Sequence, residues 1–157
     1  MQRFSFSKGS EKTRFMGIIN ISQDSFYEKS RCLSIEDVMK LAEIMVNDGA
    51  DFIDLGAESS RPGSKPISEE EELSKLMPVI SYLVKRIDVP ISVDTYKPIV
   101  AEEVLLAGAK IINDITGIQK FQEMAEVISR HQAGVIVMHM QGTPMTMQEN
   151  PSYENVV

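Results

Sequence analysis

Residues 50–64 read ADFIDLGAESSRPGS, an apolar run that passes directly into a turn loaded with carboxylate, hydroxyl and guanidinium groups. The run has the make-up of a buried strand, and a connecting turn after it needs only glycine and proline. It has no need of Glu58, Ser59, Ser60 and Arg61. Working outward, similar apolar runs recur as FMGIIN (15–20), DFIDL (51–55), PISVDT (90–95), KIINDI (110–115) and GVIVMHM (134–140). Each is aliphatic or β-branched almost throughout, as in parallel strands covered on both faces. Between them the spacing predicts helices near 34–48, 68–87, 97–107 and 120–131. This alternation is the pattern of repeated βα units, an α/β fold with a parallel sheet.

Punctuation along the chain agrees. Ser34 with Asp37 three residues on is close to a capping box, and Asp48-Gly49 ends that helix. The SEEEE run at 68–72 puts carboxylates at the positive end of the second helix, and Pro78 is expected to kink or divide it. The third helix stops at Gly108, and FSFSKGSEKTRF (4–15) reads as a small hairpin ahead of the first strand. The strand runs finish on polar residues: Asn20, Asp54, Asp94, Asn113 with Asp114, and His139. In a parallel α/β fold these ends share one face, the face on which ligands bind.

Composition bounds the rest. The 157 residues suit one domain, residues 1–157, and 43% hydrophobic content is enough for a real core. Sixteen basic against 23 acidic residues give a net charge of −7, which argues against nucleic acid as a partner. Cys32 is alone, so neither a disulfide framework nor a cysteine zinc site is expected. The opening MQRFSFSKGSEKTRF has no long apolar core, and no apolar stretch approaches the roughly 18 residues that span a membrane. The expectation is a cytoplasmic, acidic, globular protein with no membrane partner.

The chemistry concentrates at the strand ends. Asp94 either caps the following helix or offers two oxygens to parallel N–H donors of a flat heterocycle. Thr95 or the Pro98 turn can start that helix as well. Asn113 carries donor and acceptor and can read another edge of the same ring. For each residue alone both readings stay open; the pair on adjacent strands favours a ligand. In SSRPG two hydroxyls and Arg61 can meet an anion, although a loop of this composition is common. Asn20 offers a neutral oxygen to Mg²⁺ or a leaving group, or serves as a turn residue. His139 has no second histidine near it in sequence, and a lone strand-end histidine is more often structural. Of the methionines at 138, 140, 145 and 147, only Met138 is placed to line a flat apolar slot.

MGIINISQDSF, DLGAESSRPGS, ISVDTYK, AGAKIINDITG and VIVMHMQGTP, in this order and spacing, resemble dihydropteroate synthase across residues 15–144. The resemblance implies a TIM (β/α)8 barrel, of which this chain supplies about the first five strands. It implies a transferase of folate biosynthesis that joins para-aminobenzoate to 6-hydroxymethyl-7,8-dihydropterin diphosphate and releases diphosphate, with Mg²⁺ as cofactor. Sulfonamides compete for the aminobenzoate position. Asp94 and Asn113 match the pterin-binding acid and amide, Asp54 a third polar residue of that pocket, and Ile115 and Met138 its apolar walls. Asn20 matches the residue near diphosphate and Mg²⁺. Ser60, Arg61 and Pro62, with Ser59 beside them, match the loop that holds aminobenzoate and diphosphate. Asp24, Ser25 and Phe26 match the loop that folds over the reacting centre. In such a site Asn20, Asp24 and Arg61 carry catalysis by positioning and charge stabilisation, with no nucleophilic side chain.

The sequence departs from that pattern twice. The first loop usually reads Pro-Asp-Ser-Phe-Ser-Asp-Gly-Gly, whereas here Gln23, Tyr27, Glu28, Lys29 and Ser30 stand in QDSFYEKS. A TIM barrel also needs eight strands and about 250 residues, so the expectation is an N-terminal part of a barrel whose C-terminal strands are missing. Two alternatives remain: a methyltetrahydrofolate-binding methyltransferase domain, and a non-catalytic half-barrel that binds pterin or forms a homo-oligomer. The SSRPG and DSF loops argue against the first, and the missing strands favour the second.

Overall fold

The computed structural model describes residues 13–21, 34–59, 66–142, 146–147 and 150–155. Strands β1 (Met16–Asn20), β2 (Phe52–Gly56), β3 (Ile91–Asp94), β4 (Ile111–Asp114) and β5 (Gly134–Val137) alternate with helices. The helices are α1 (Ile35–Asn47), α2 (Glu69–Leu83), α3 (Pro98–Leu106) and α4 (Glu123–His131). All strand pairs are parallel and lie in chain order, β1-β2-β3-β4-β5. This is the order of five consecutive steps of a (β/α)8 barrel, as expected from the sequence.

The two faces of the sheet carry different chemistry. Ile19, Ile53, Leu55, Ile91, Val93 and Ile112 face the helices and pack with Val38, Leu76, Val79, Ile80, Leu83 and Val104 into one apolar core. Gly17 lies on this side too. A Cβ there would come to 2.7 Å from the Met45 sulfur, so the glycine lets α1 sit close on the sheet. The opposite face carries the residues between: Asp54, Ser92, Asp94, Asn113.

Local signals account for the helix limits. Ser34 and Asp37 form the full capping box, each side chain bonded to the other's backbone N–H. Ser68 caps α2 by accepting from the Glu71 N–H, ahead of four glutamates in the first turn. Gly49 and Gly108, at φ 103° and 117°, take the chain out of α1 and α3 in a backbone shape that glycine allows.

Three expectations need correction. Pro78 lies inside α2 and does not divide it; the helix runs unbroken from Glu69 to Leu83, held by the buried face of Leu76, Val79, Ile80 and Leu83. Asp54 is not the last residue of its strand. Strand β2 continues to Gly56, and Asp54 sits one layer deeper in the sheet. His139 lies beyond β5, which ends at Val137, and its exposed ring stacks at a tilt on Tyr153, 5.5 Å between centroids. The 4–15 hairpin falls mostly outside the described residues.

Candidate functional site

Register places the candidate residues in rows. Asn20 pairs with Gly56, Gly56 with Asp94, and Asp94 with Asn113, so these four side by side make one layer at the C-terminal edge of the sheet. One layer down, Ile18, Asp54, Ser92 and Ile111 are in register. Because side chains alternate faces along a strand, both rows point away from the helices. The lack of a side chain at Gly56 matters here. A Cβ at this position would lie 3.1 Å from Asn20 Oδ1 and 3.7 Å from Asp94 Cβ, so the glycine keeps a hollow open between the amide and the carboxylate.

The polar groups in this hollow are not satisfied by one another. Asn113 Nδ2 donates to Asp54 Oδ2 at 3.2 Å. Asp54 Oδ1 and Ser92 Oγ, both buried, find no partner among the described residues. Burial and the Asp54 charge beside it push the Asp94 carboxyl up to about 7. Asp94 does not cap α3: the helix starts with Lys97 at the cap and Pro98 at its first position, and the Lys97 N–H bonds to Thr95 Oγ1 at 3.3 Å. The capping explanation for Asp94 therefore fails. Two carboxylates and an amide on a largely buried face, without a cation among the described residues, are costly to fold and suit a ligand that brings N–H donors.

The remaining candidates divide. Ile115 is half-buried at the end of β4, and the Met138 N–H donates to Asp114 O at 3.3 Å, which holds Met138 beside that strand. Asp114 itself is spent on its own loop, accepting from Thr116 N–H and Oγ1, both at 2.7 Å, and from Ile118 N–H. Ser59 is described, at the start of the connection after β2. Ser60, Arg61 and Pro62 lie outside the described residues, as do Asp24, Ser25, Phe26 and the altered positions Gln23, Tyr27, Glu28, Lys29 and Ser30.

Sequence reasoning missed two features. Ser92 is two residues before Asp94, and period-2 alternation alone puts it on the same face. The second feature is a cluster around Lys97, whose ammonium meets Glu58 Oε2 at 2.6 Å and Glu72 Oε2 at 2.5 Å. The Tyr96 hydroxyl donates to Glu58 Oε1 at 2.7 Å. Burial pushes Glu58 up, but the bonds from Lys97 and Tyr96 outweigh it and hold the carboxyl below its usual range. At Glu72 burial wins and the carboxyl is raised. Lys97 is pulled down by burial and raised on balance by its two carboxylate partners. A lysine in a Thr-Tyr-Lys-Pro turn was the visible signal; partners 25 and 39 residues away were not.

Among the described residues, no group of three or more His, Cys, Asp or Glu is placed to hold a metal ion, and no helix is long and apolar enough to cross a membrane. Residues 16–157 match the family described as pterin binding enzyme. The dihydropteroate synthase of Bacillus subtilis is 46% identical over 82% of this chain and 45% of its own length. That of Escherichia coli K12 is 45% identical over 90% of this chain and 50% of its own. The crystal structure of the Yersinia pestis dihydropteroate synthase in complex with a sulfonamide drug superposes with a TM-score of 0.84 at 40% identity, covering 90% of this chain and 51% of that one. The Xanthomonas albilineans dihydropteroate synthase with 4-aminobenzoic acid gives 0.78 at 34% identity, over 92% and 50%. The chain thus spans about half the length of the curated relatives it matches. With its sheet order, its polar row and these likenesses taken together, the chain belongs to the pterin-binding enzyme family.

Proposed function

We propose that this chain is the N-terminal part of a dihydropteroate synthase barrel and supplies its pterin-reading surface. The observation that carries the reading is the polar row Asn20–Gly56–Asp94–Asn113 at the sheet edge over buried Asp54 and Ser92, a layer short of donors. A 2-amino-4-oxo pterin edge offers two parallel N–H groups to a carboxylate and a carbonyl to an amide. Asp94 accepts the pair, Asn113 reads the neighbouring edge, Asp54 holds the Asn113 amide in place, and Ile115 and Met138 flank the ring.

The reaction then needs positioning more than side-chain chemistry. The bond from the pterin methylene carbon to the diphosphate oxygen breaks, and its electron pair leaves with diphosphate. The aniline nitrogen of para-aminobenzoate forms the new C–N bond and loses a proton to solvent. In this reading Ser59, Ser60, Arg61 and Pro62 handle aminobenzoate and the departing charge, and Asp24, Ser25 and Phe26 shield the reacting centre from water. Asn20 bears on the question of Mg²⁺. Its Oδ1 is a single neutral oxygen at the exposed rim above the Gly56 hollow, a donor suited to an ion that arrives with diphosphate and keeps its own waters. Asn20 would hold that ion, which when bound supplies charge neutralisation on the leaving group.

The test is condensation of the two substrates by the native chain, followed by product chromatography. Dihydropteroate should form, and Asp94→Ala should lower pterin affinity by about a hundredfold or more, the loss of two charge-assisted bonds. Tight pterin binding retained by Asp94→Ala would defeat the reading.

A further inference from the structure

The Lys97 cluster sits outside the pterin row, and its geometry concerns the connection between β2 and α2. Glu58 lies two residues past β2 and Ile67 two residues before α2, so they flank the connection on either side. Glu58 Oε2 accepts from the Ile67 N–H at 3.1 Å, which ties the flanks to each other. The Lys97 ammonium then spends its three N–H groups on three acceptors: Glu58 Oε2 at 2.6 Å, Ile67 C=O at 2.8 Å and Glu72 Oε2 at 2.5 Å. Tyr96, next in the chain, donates to the other Glu58 oxygen. All of this hangs on the β3–α3 turn, three residues from Asp94.

We propose that Lys97 is a positioning residue that fixes both flanks of the β2–α2 connection, at Glu58 and Ile67, against the strand end carrying Asp94. The physical reason is completeness. An ammonium takes three acceptors in a compact tetrahedral arrangement, whereas a planar guanidinium spreads its donors in a fork. Glu72 is buried to 1% exposure, and Lys97 to 7%, so the contacts are shielded from solvent and hold their geometry. Burial of an ammonium among two carboxylates is a weak source of stability but a strong source of unique placement. A surface pair would do neither. The proposal rests on the reading of Ser59, Ser60 and Arg61 as aminobenzoate and diphosphate contacts. Lys97 acts on them through the backbone and touches no substrate.

Removing Lys97 alone leaves two facing carboxylates, so the variant used is the charge-balanced Lys97→Met/Glu72→Gln in the native chain. Three quantities are measured: KM for para-aminobenzoate, Kd for 6-hydroxymethylpterin by fluorescence, and amide exchange at Ile67. Expected are a KM for aminobenzoate raised at least tenfold, a pterin Kd within twofold of the parent, and exchange at Ile67 at least tenfold faster. Glu58→Gln, which keeps the acceptor for the Ile67 N–H, should show the same pattern at smaller amplitude. Unchanged exchange at Ile67 overturns the proposal. So does a parallel loss of pterin and aminobenzoate affinity, the mark of a general structural role. If the native chain neither binds pterin nor forms dihydropteroate, the functional reading has failed, and Ile67 exchange alone still decides the fixing role.

Discussion

Two pairs of carboxylates stand at the same end of one sheet, and the fold treats them in opposite ways. Asp54 and Asp94 lie diagonally across β2 and β3, one layer apart, with an amide for company and no cation among the described residues. Glu58, just beyond β2, and Glu72, in the first turn of α2, share one lysine whose every donor is used. The first pair costs folding free energy, and such a cost persists where a ligand supplies the missing donors. The second pair has its cation in place in the free protein, with every Lys97 donor engaged, although Glu72 Oε1 finds no partner among the described residues. Each set keeps one buried carboxylate oxygen without a partner among the described residues, so what separates them is the cation that one has and the other lacks there.

The contrast can be broken most forcefully at Lys97. Lys97→Met alone strips the cation from two shielded carboxylates and should lower unfolding free energy at pH 7 by about 3–5 kcal/mol in urea titrations. The charge-balanced Lys97→Met/Glu72→Gln should recover a large part of that loss. Equal instability of both variants would mean that packing, not charge, holds this corner.

At Asp94 the sign should reverse. Its folded value, about 7, lies above the ordinary 3.8, so the folded state binds the proton more tightly than the unfolded chain. The stability from that proton is full below the unfolded value and is lost as pH rises from about 4 through 7. Asp94→Asn should therefore raise unfolding free energy at pH 8 by about 2 kcal/mol while abolishing pterin affinity. A variant that loses both stability and binding would place Asp94 in the frame instead.

A finer test uses the charge next to it. Asp54→Asn removes the second-largest cause of the Asp94 shift. The pH at which pterin binding reaches half its maximum should move down by about one unit. No movement would mean that burial alone sets the Asp94 proton. The smallest effect belongs to Gly56→Ala. The added methyl sits 3.1 Å from Asn20 Oδ1, so ligand affinity should fall by about 1 kcal/mol with little change in the urea midpoint.

Much of this was legible in the sequence, for reasons that can be named. The parallel sheet followed from βα alternation and its barrel order from the resemblance to dihydropteroate synthase, and Asp94 and Asn113 stood out because a charged or amide residue closes an aliphatic run. The cap at Ser34 was legible because its partner is three residues away. Asp54 was read as a strand end because the polar loop begins right after it; register shows two more strand residues, a matter of pairing that no local pattern carries. Pro78 was read as a kink or a division of α2, and the helix runs through it undivided on its apolar face. The Lys97 cluster was invisible because its members come from two separate connections and from helix α2. The likeness to dihydropteroate synthases named candidate substrate contacts but gave no sign of the Lys97 cluster.

The role proposed for Asp94 requires that it give up a proton to take the pterin edge. The direct measurement is calorimetric titration of 6-hydroxymethylpterin into the native chain at pH 6.5, in buffers of different ionisation enthalpy. At that pH most Asp94 carboxyls hold a proton, and the ring donors need the ionised form. Binding should release a little under one proton, with none released in Asp94→Asn. Binding with no proton release in the native chain, or the same release in Asp94→Asn, would contradict that role.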